Sequence, residues 1–465
     1  MGKRSKEDKD KSSSKKLKVS KDETLVDPSQ VEIQNFRKEH NITLENAPED
    51  HKPCLSFATL KVHKKILKTL EKFPKPTPIQ SECWPLALKG RDVVGIAMTG
   101  SGKTYGFGVP AINHLKKSDM PNNAILILAP TRELALQIQQ SIDEMGSKLE
   151  GLTTVTLYGG VSKDSQRKLL KKGTHVIVAT PGRLIDLMDE GVVDLSAISF
   201  LILDEADRML DMGFINDIRK IVKQIPEKRQ TLMFSATWPN SVRQLASEFL
   251  KNPVKITIGF DELTSNTNVT QIVEVIQEPR DRDNKLISLL KKYHSSRSNR
   301  VIVFALYKKE AVRIENFLKQ NKYNVESIHG DKNQNQRWQA LQSFKNGDVP
   351  LLIATDVAAR GLDIPDVEYV INYTFPLTIE DYTHRIGRCG RAGKTGIAHT
   401  MFTPLDKAHS GELINVLKQA EQKVPEALLK FGTTVKKKEH KTYGAFFKEI
   451  DPNAKSSHVT FDDDD

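Results

Sequence analysis

Short runs of consecutive apolar residues recur along most of the chain, each closed by a turn or polar residue and followed by a stretch with helical spacing. Residues 92–97, 124–129, 175–180, 200–203 and 231–234 are such runs, and residues 133–145 are one of the helix-like stretches between them. Four to six apolar residues without polar alternation are too few for a buried helix and suit a strand covered on both faces. The pattern therefore predicts a parallel sheet with helices on its two sides. The alternation restarts at 301–304, 324–328, 351–354, 368–371 and 398–402. Two α/β domains follow, without an obvious sequence repeat between them. The cluster of Gly, Asp, Ser, Thr and Asn near Gly259 to Asn268 reads as the connection.

The ends of the chain break this pattern. Residues 1–50 are rich in Lys, Ser, Asp and Glu and poor in aromatics, a composition that cannot repay the entropy of ordering, so a disordered tail is expected there. The expected organisation is a tail at 1–50, a first domain at 51–258, a linker at 259–269, a second domain at 270–430 and an extension at 431–465. The tail carries two basic clusters, Lys3-Arg4 and Lys15-Lys16-Leu17-Lys18, which fit a nuclear-import signal, an RNA-attracting arm or a solvated surface. The extension carries Lys436-Lys437-Lys438 and ends in four aspartates.

Composition narrows the class. A formal net charge of +11 over 465 residues favours a polyanionic partner without choosing among RNA, DNA and an anionic membrane. Three scattered cysteines, Cys54, Cys83 and Cys389, argue against a disulfide framework or a zinc site. No apolar run reaches membrane-spanning length, and the first twenty residues lack the apolar core of a secretory signal. An intracellular, soluble protein is expected.

Candidate chemistry sits at the ends of the predicted strands. After the run 92–97 comes Ala97-Met98-Thr99-Gly100-Ser101-Gly102-Lys103-Thr104. Small residues there let backbone N–H groups approach phosphates at a helix N-terminus. Lys103 would reach the β and γ phosphates, and Thr104 would ligate Mg²⁺. The usual leading Gly of such a loop is Ala97 here. Asp204-Glu205-Ala206-Asp207 follows the run 200–203, which places Asp204 at the carboxyl end of a buried strand. Asp204 would hold Mg²⁺ and Glu205 would orient and polarise the attacking water. In the second half, Arg385, Arg388 and Arg391 recur every three residues, so one helical turn would align them on a face toward an anion, either RNA or a nucleotide phosphate.

With these motifs the chain resembles the DEAD-box family of ATP-dependent RNA helicases over roughly residues 57–430. That resemblance implies two tandem RecA-like domains, ATP and Mg²⁺ as cofactors, and RNA as partner. Phe73-Pro74-Lys75-Pro76-Thr77-Pro78-Ile79-Gln80 resembles the family's adenine-reading motif, with Gln80 bonding the base and the upstream Phe57 stacking on it. In isolation the same segment reads as a Pro-rich loop capped by core aromatics. By resemblance Arg388 and Arg391 are arginine fingers on the γ-phosphate, and His384 links their element to the first domain. Ser235-Ala236-Thr237 and Asp207 resemble the elements coupling hydrolysis to RNA remodelling, and Asp363 would accept a bond from the ribose. The implied RNA contacts are Pro130, Thr131, Arg132, Gly160, Thr180 and Arg183 in the first domain, and Gly330, Gln334, Arg337, Thr355 and Arg360 in the second. Several of these residue types also serve as ordinary helix caps or surface charges. No stacking platform of aromatics is evident, so backbone contacts without sequence preference are expected.

The chain departs from the commoner family form at Phe304-Ala305-Leu306-Tyr307, at Thr374 and at Cys389. Thr374, the basic tail, Tyr443-Gly444-Ala445-Phe446-Phe447 and Val459-Thr460-Phe461-Asp462 resemble the fungal nucleolar branch of the family. That branch implies pre-rRNA processing and 60S subunit assembly in the nucleus and nucleolus, on pre-ribosomal particles, by a monomer without a membrane partner. The alternatives are an RNA helicase of mRNA metabolism or splicing, a DNA helicase or other P-loop motor, and a non-enzymatic clamp that only holds RNA or protein.

Overall fold

The computed structural model describes residues 28–98, 100–259, 269–356, 367–390 and 395–433, apart from the side chain of Gln334. The chain divides into two compact units, Met1–Asp261 and Glu262–Asp465, and the division falls inside the segment expected to be the linker. Each unit is a sheet flanked by helices, as the pattern of apolar runs predicts.

The first unit holds β1 (Ile42–Glu45), β2 (Val93–Ile96), β3 (Ile125–Leu128), β4 (Thr154–Leu157), β5 (Val176–Ala179), β6 (Phe200–Leu203), β7 (Gln230–Ser235) and β8 (Val254–Ile258). Their order across the sheet is β1-β8-β2-β7-β6-β3-β5-β4. Every pairing is parallel except β1 with β8. All four residues of β2, β3, β5 and β6 are buried, which is why these strands read as unbroken apolar runs. The register matters for function. Ile96 pairs with Ser235, Leu203 with Met233, and Leu128 with both Leu203 and Ala179, while Ala179 pairs with Leu157. The loops after β2, β7, β6, β3, β5 and β4 therefore all leave one carboxyl edge.

The second unit holds β9 (Val269–Val275), β10 (Val301–Ala305), β11 (Val325–Ile328), β12 (Leu351–Thr355), β13 (Tyr369–Asn372) and β14 (Gly396–Phe402). They form an all-parallel sheet in the order β11-β12-β10-β13-β14-β9. Two apolar layers cover its faces, one built around Phe304, Phe344, Phe375 and Tyr382, the other around Leu286, Leu290, Ile314 and Leu318.

The expected disordered tail at 1–50 needs correction over its last part. Residues 30–39 form the helix Gln30–Glu39, started by Ser29 with a reciprocal capping box to Glu32, and β1 extends the sheet edge. Few apolar side chains hold this segment; Ile33 and Ile42 are its buried ones. A buried charge cluster fixes it. Arg37 Nε donates to Glu82 Oε1 at 2.8 Å, Arg37 Nη2 donates to Glu82 Oε2 at 3.3 Å, and His51 Nε2 lies 2.5 Å from the same Oε2. Cys54 N–H also donates to Ser81 O at 2.8 Å. Burial alone would raise the Glu82 carboxyl, but the His51 and Arg37 bonds outweigh it and hold Glu82 below the usual carboxylate range. Basic tail residues 1–27 and extension residues 434–465 lie outside the described residues. The extension's first residues pack on the second unit, where Phe431 meets Phe402 at 5.7 Å between ring centres.

Replacing Arg37 with Met leaves the fully buried Glu82 short of its cation. Chemical unfolding of the full chain at neutral pH is expected to show a loss of about 3 kcal/mol, the lower end for breaking a buried pair because the guanidinium is partly exposed. The folded-state pKa of Glu82 is depressed, so the contribution is present above the ordinary carboxylate pKa and vanishes as pH falls through the depressed value. The difference between wild type and Arg37→Met should shrink on acidification in that window. A difference below about 1 kcal/mol at neutral pH would show that the cluster does not fix the segment.

Candidate functional site

The loop after β2 is shaped by two glycines with positive φ, Gly100 at +84° and Gly102 at +90°. Gly102 starts the helix Lys103–Lys117, and a Cβ there would stand 2.5 Å from Gln80 Nε2. No larger side chain fits without moving Gln80. Lys103 is buried and donates from Nζ to Ala97 O at 2.6 Å and Met98 O at 3.2 Å. Carbonyls of the loop itself thus meet the ammonium, and a bound phosphate would replace them. Ser101 Oγ is buried without a hydrogen-bond partner among the described residues, an unmet donor that suits an anion. Thr99 lies outside the described residues.

Beside this loop, at the end of β6, stand Asp204, Glu205 and Asp207, each at most 5% exposed. Burial pushes the Asp204 carboxyl up to about 7; nearby Lys103 counters this, and the Glu205 charge adds to it. A divalent cation near Asp204 would favour the ionised form. The hard oxygen donors of Thr104 and Asp204 fit Mg²⁺, which keeps several waters and phosphate oxygens and needs few protein ligands. Glu205 sits in the left-handed region at φ +51°, ψ +54°. That conformation costs a non-glycine residue roughly 1–3 kcal/mol, and such strain concentrates at functional sites.

Asp207 is the junction. Its Oδ2 accepts from Ala236 N–H at 3.2 Å, Thr237 N–H at 2.9 Å and Thr237 Oγ1 at 2.8 Å, while its own N–H donates to Ser235 Oγ at 3.3 Å. The structure thereby brings Ser235, Thr237 and Asp207 into one network, two residues from Glu205. An ordinary turn at Ser235-Ala236-Thr237 would not need three donors on one buried carboxylate oxygen.

The segment upstream supplies Gln80 and Phe57. Gln80 Nε2 donates to Gly102 O at 3.0 Å, and Gln80 Oε1 accepts from Thr77 N–H at 3.1 Å. One donor and one acceptor position of the amide remain for a base. Phe57 is half-buried and packs 6.0 Å from the Trp84 ring, combining core packing with an accessible face.

The expected RNA contacts of the first unit occupy the neighbouring half of the same edge, after β3, β4 and β5. Thr131 accepts from Leu134 N–H at 3.3 Å and is a helix cap in this state. The Arg132 guanidinium lies against Gly159 and Gly160; Gly160 has φ +85°, and a Cβ there would overlap Arg132 Nη1. Pro130 is buried between β3 and this cap. Thr180 caps the helix Pro181–Asp189 without a side-chain cap bond, and Arg183 Nη1 donates to Val161 O at 3.2 Å.

In the second unit Thr355 ends β12, Gly330 follows β11, and Arg337 is half-buried on the helix Gln334–Asn346. His384 lies in the last turn of the helix Ile379–Ile386, and Arg388 follows that helix, 3% exposed. Arg360, Asp363, Arg391 and the side chain of Gln334 lie outside the described residues. The expected alignment of three arginines on one helical face needs correction. The helix stops at Ile386, so Arg388 is beyond it, and Arg385 points into the core. There Arg385 makes two 2.6 Å bonds to Asp356, donates to Thr374 O at 2.6 Å and lies over the Phe304 ring. Periodicity marks the arginines but does not reveal which carboxylate meets one of them. Cys389 donates from Sγ to Ile386 O at 3.3 Å and is a packing residue.

Comparison with known proteins finds relatives across both units. Residues 77–245 match the DEAD/DEAH box helicase family and residues 281–393 the helicase conserved C-terminal domain. The chain is similar to the ATP-dependent RNA helicase DBP3 of Lodderomyces elongisporus, 56% identical over 92% of this chain and 81% of that protein. It is 55% identical to DBP3 of Saccharomyces cerevisiae over 95% of this chain and 85% of that protein. Among solved structures, the DEAD-box helicase Mss116 bound to single-stranded RNA and UDP-BeF aligns at TM-score 0.73 and 27% identity, over 81% of this chain and 82% of that one. Saccharomyces cerevisiae Dbp5 bound to RNA and ADP BeF3 aligns at TM-score 0.69 and 29% identity, over 82% of this chain and 94% of that one.

Gly160→Ala tests the RNA half of the edge. The added Cβ at positive φ must displace Arg132, so affinity for single-stranded RNA should fall roughly tenfold. Nucleotide affinity without RNA should stay at the wild-type value, because no group around Lys103 moves. Unchanged RNA affinity by equilibrium titration would show that Arg132 does not need this position.

Proposed function

The chain belongs to the DEAD/DEAH box helicase family and is an ATP-dependent RNA helicase; on that premise we propose that its ATP turnover opens short RNA duplexes or remodels RNA–protein contacts during nucleolar pre-rRNA processing and 60S subunit assembly. The observation that carries the coupling is the Asp207 network, which ties the element bearing Asp204 and Glu205 to Ser235 and Thr237 on the same sheet edge as the RNA-contact loops. Lys103 binds the β and γ phosphates, Gln80 and Phe57 select adenine, and Asp363 bonds the ribose. Glu205 orients the attacking water, and Arg388 and Arg391 meet the charge that develops on the γ-phosphate. Thr104 and Asp204 would hold a magnesium ion, which neutralises phosphate charge when bound.

RNA is gripped through its backbone by Pro130, Thr131, Arg132, Gly160, Thr180 and Arg183 and by Gly330, Gln334, Arg337, Thr355 and Arg360. Bending of one strand by this grip separates it from a duplex partner that cannot follow. The protein acts as a monomer, enters the nucleus through its basic tail and concentrates in the nucleolus on pre-ribosomal particles. Likeness to the DBP3 proteins over most of the chain supports this branch-level reading.

Glu205→Gln should keep ATP and RNA binding while lowering RNA-stimulated turnover by at least 10², the scale of losing a group that acts in the transition state. Wild-type turnover would remove Glu205 from that role. The same variant, held on RNA by unhydrolysed ATP, should crosslink in cells mainly to the large-subunit portion of pre-rRNA. Crosslinks spread over messenger or spliceosomal RNA would refute the ribosomal assignment and leave the helicase activity intact.

A further inference from the structure

Tyr307 follows β10 with its side chain largely in solvent, 62% exposed. Ala305 at the end of β10 pairs with Thr355 of β12, and Ile328 of β11 pairs with Ala354. Tyr307, His329-Gly330 and Thr355 therefore leave the second sheet side by side at one carboxyl edge. The backbone around Tyr307 is pinned although its ring is not. Leu306 N–H donates to Glu310 Oε2 at 2.8 Å, and the other oxygen of Glu310 accepts from Thr374 Oγ1 at 2.8 Å. Lys308 Nζ donates to Asp331 Oδ1 at 2.7 Å, joining this loop to the residue after Gly330. Two of the departures from the commoner family form, at Leu306-Tyr307 and at Thr374, thus meet on one carboxylate.

Three features here bear on what this edge meets. Tyr307 is the N-cap of the helix Lys308–Gln320, yet its side chain makes no cap bond, where Ser, Thr, Asp or Asn would satisfy a helix N–H. Lys308 and Lys309 occupy the first turn, where the helix dipole disfavours cations. His329, only 4% exposed, leaves Nδ1 without a hydrogen-bond partner among the described residues. A ligand with a flat face for the Tyr307 ring, a negative charge for the lysines and a polar group for His329 fits all three. Lys308 and Lys309, next in the chain, and Asp331, paired with Lys308, make this stretch too polar for an apolar protein-docking surface.

We propose that Tyr307 stacks on a nucleobase of the single-stranded RNA bound along this edge, adding a base contact to a grip otherwise made on the backbone. It rests on the reading that the edge carrying Gly330 and Thr355 faces RNA. The pinned loop fixes the backbone of Tyr307 before RNA arrives, so only the freedom of its side chain is lost on stacking. Lys308 and Lys309 stand where the adjoining phosphates would pass.

Equilibrium binding of labelled single-stranded RNA to the full chain, with a non-hydrolysable ATP analogue present, tests this. Tyr307→Ala should weaken binding about tenfold, as loss of one base–aromatic stack does. Tyr307→Phe and Tyr307→Trp should bind like wild type, and the slope of log affinity against log salt should be the same for all, since no phosphate contact is removed. Strands carrying one abasic position should weaken the wild type at one site and leave Tyr307→Ala indifferent there. If Tyr307→Ala binds like wild type while Arg337→Met and Thr355→Val weaken, stacking is refuted and the RNA-facing edge stands. If none of the three weakens, the reading of the edge falls with it. Equal losses for Tyr307→Ala on intact strands and on strands abasic at every single position would show that the ring meets something other than a base.

Discussion

Three carboxylates buried at the end of one four-residue strand set the terms for the whole first unit. Asp204, Glu205 and Asp207 cannot all be charged out of water unless something compensates them. The fold compensates each differently. Asp207 receives three donors from Ala236 and Thr237, so it is met entirely from within the protein. Asp204 accepts from Glu205 N–H at 3.0 Å and has Lys103 nearby, yet burial still pushes its carboxyl up to about 7. Lys103 itself is turned onto the carbonyls of Ala97 and Met98. The site is therefore internally satisfied at the junction and under-compensated at the nucleotide end. A cation at Asp204 and nucleotide phosphates at Lys103 would supply the missing partners, and the Asp207 bonds would carry any shift of this loop to Ser235 and Thr237.

The parallel sheet turns that local requirement into coupling. Because every loop of interest leaves the same edge, the strands bearing the nucleotide loops, β2, β7 and β6, lie next to β3, β5 and β4, which bear the expected RNA contacts. The second unit repeats the device with a different pair. Arg385, buried against Asp356, Thr374 O and the Phe304 ring, joins the helix before Arg388 to the end of β12, where Thr355 sits. Removing either partner would strand a buried charge, so the pair holds these two functional elements in register.

Much of this was legible in the sequence because its physics is local. Ten of the strands fall on short, largely apolar and largely buried runs, and the nucleotide loop and Asp204 follow such runs directly. Strands β1, β4, β8 and β9 mix polar residues into their runs, as Lys255 does in β8, and do not stand out. The helix Gln30–Glu39 escapes composition altogether, since it is fixed by Glu82 more than forty residues away. Arg385 and Arg388 look equivalent by spacing, yet the helix end at Ile386 separates them, and Asp356 decides which one is internal. Tyr307 reads as a mere departure from a motif until the register places it beside Gly330 and Thr355.

The central claim is that nucleotide and RNA are linked through one sheet edge, and linkage must be reciprocal. The affinity of the full chain for a non-hydrolysable ATP analogue, measured without and with saturating single-stranded RNA, tests it most directly, together with the RNA affinity without and with saturating analogue. Both ligands should tighten by one common factor, on the order of 5–150-fold, and Asp207→Asn should bring that factor close to one. Independent binding of the two ligands in the wild-type protein would contradict the account.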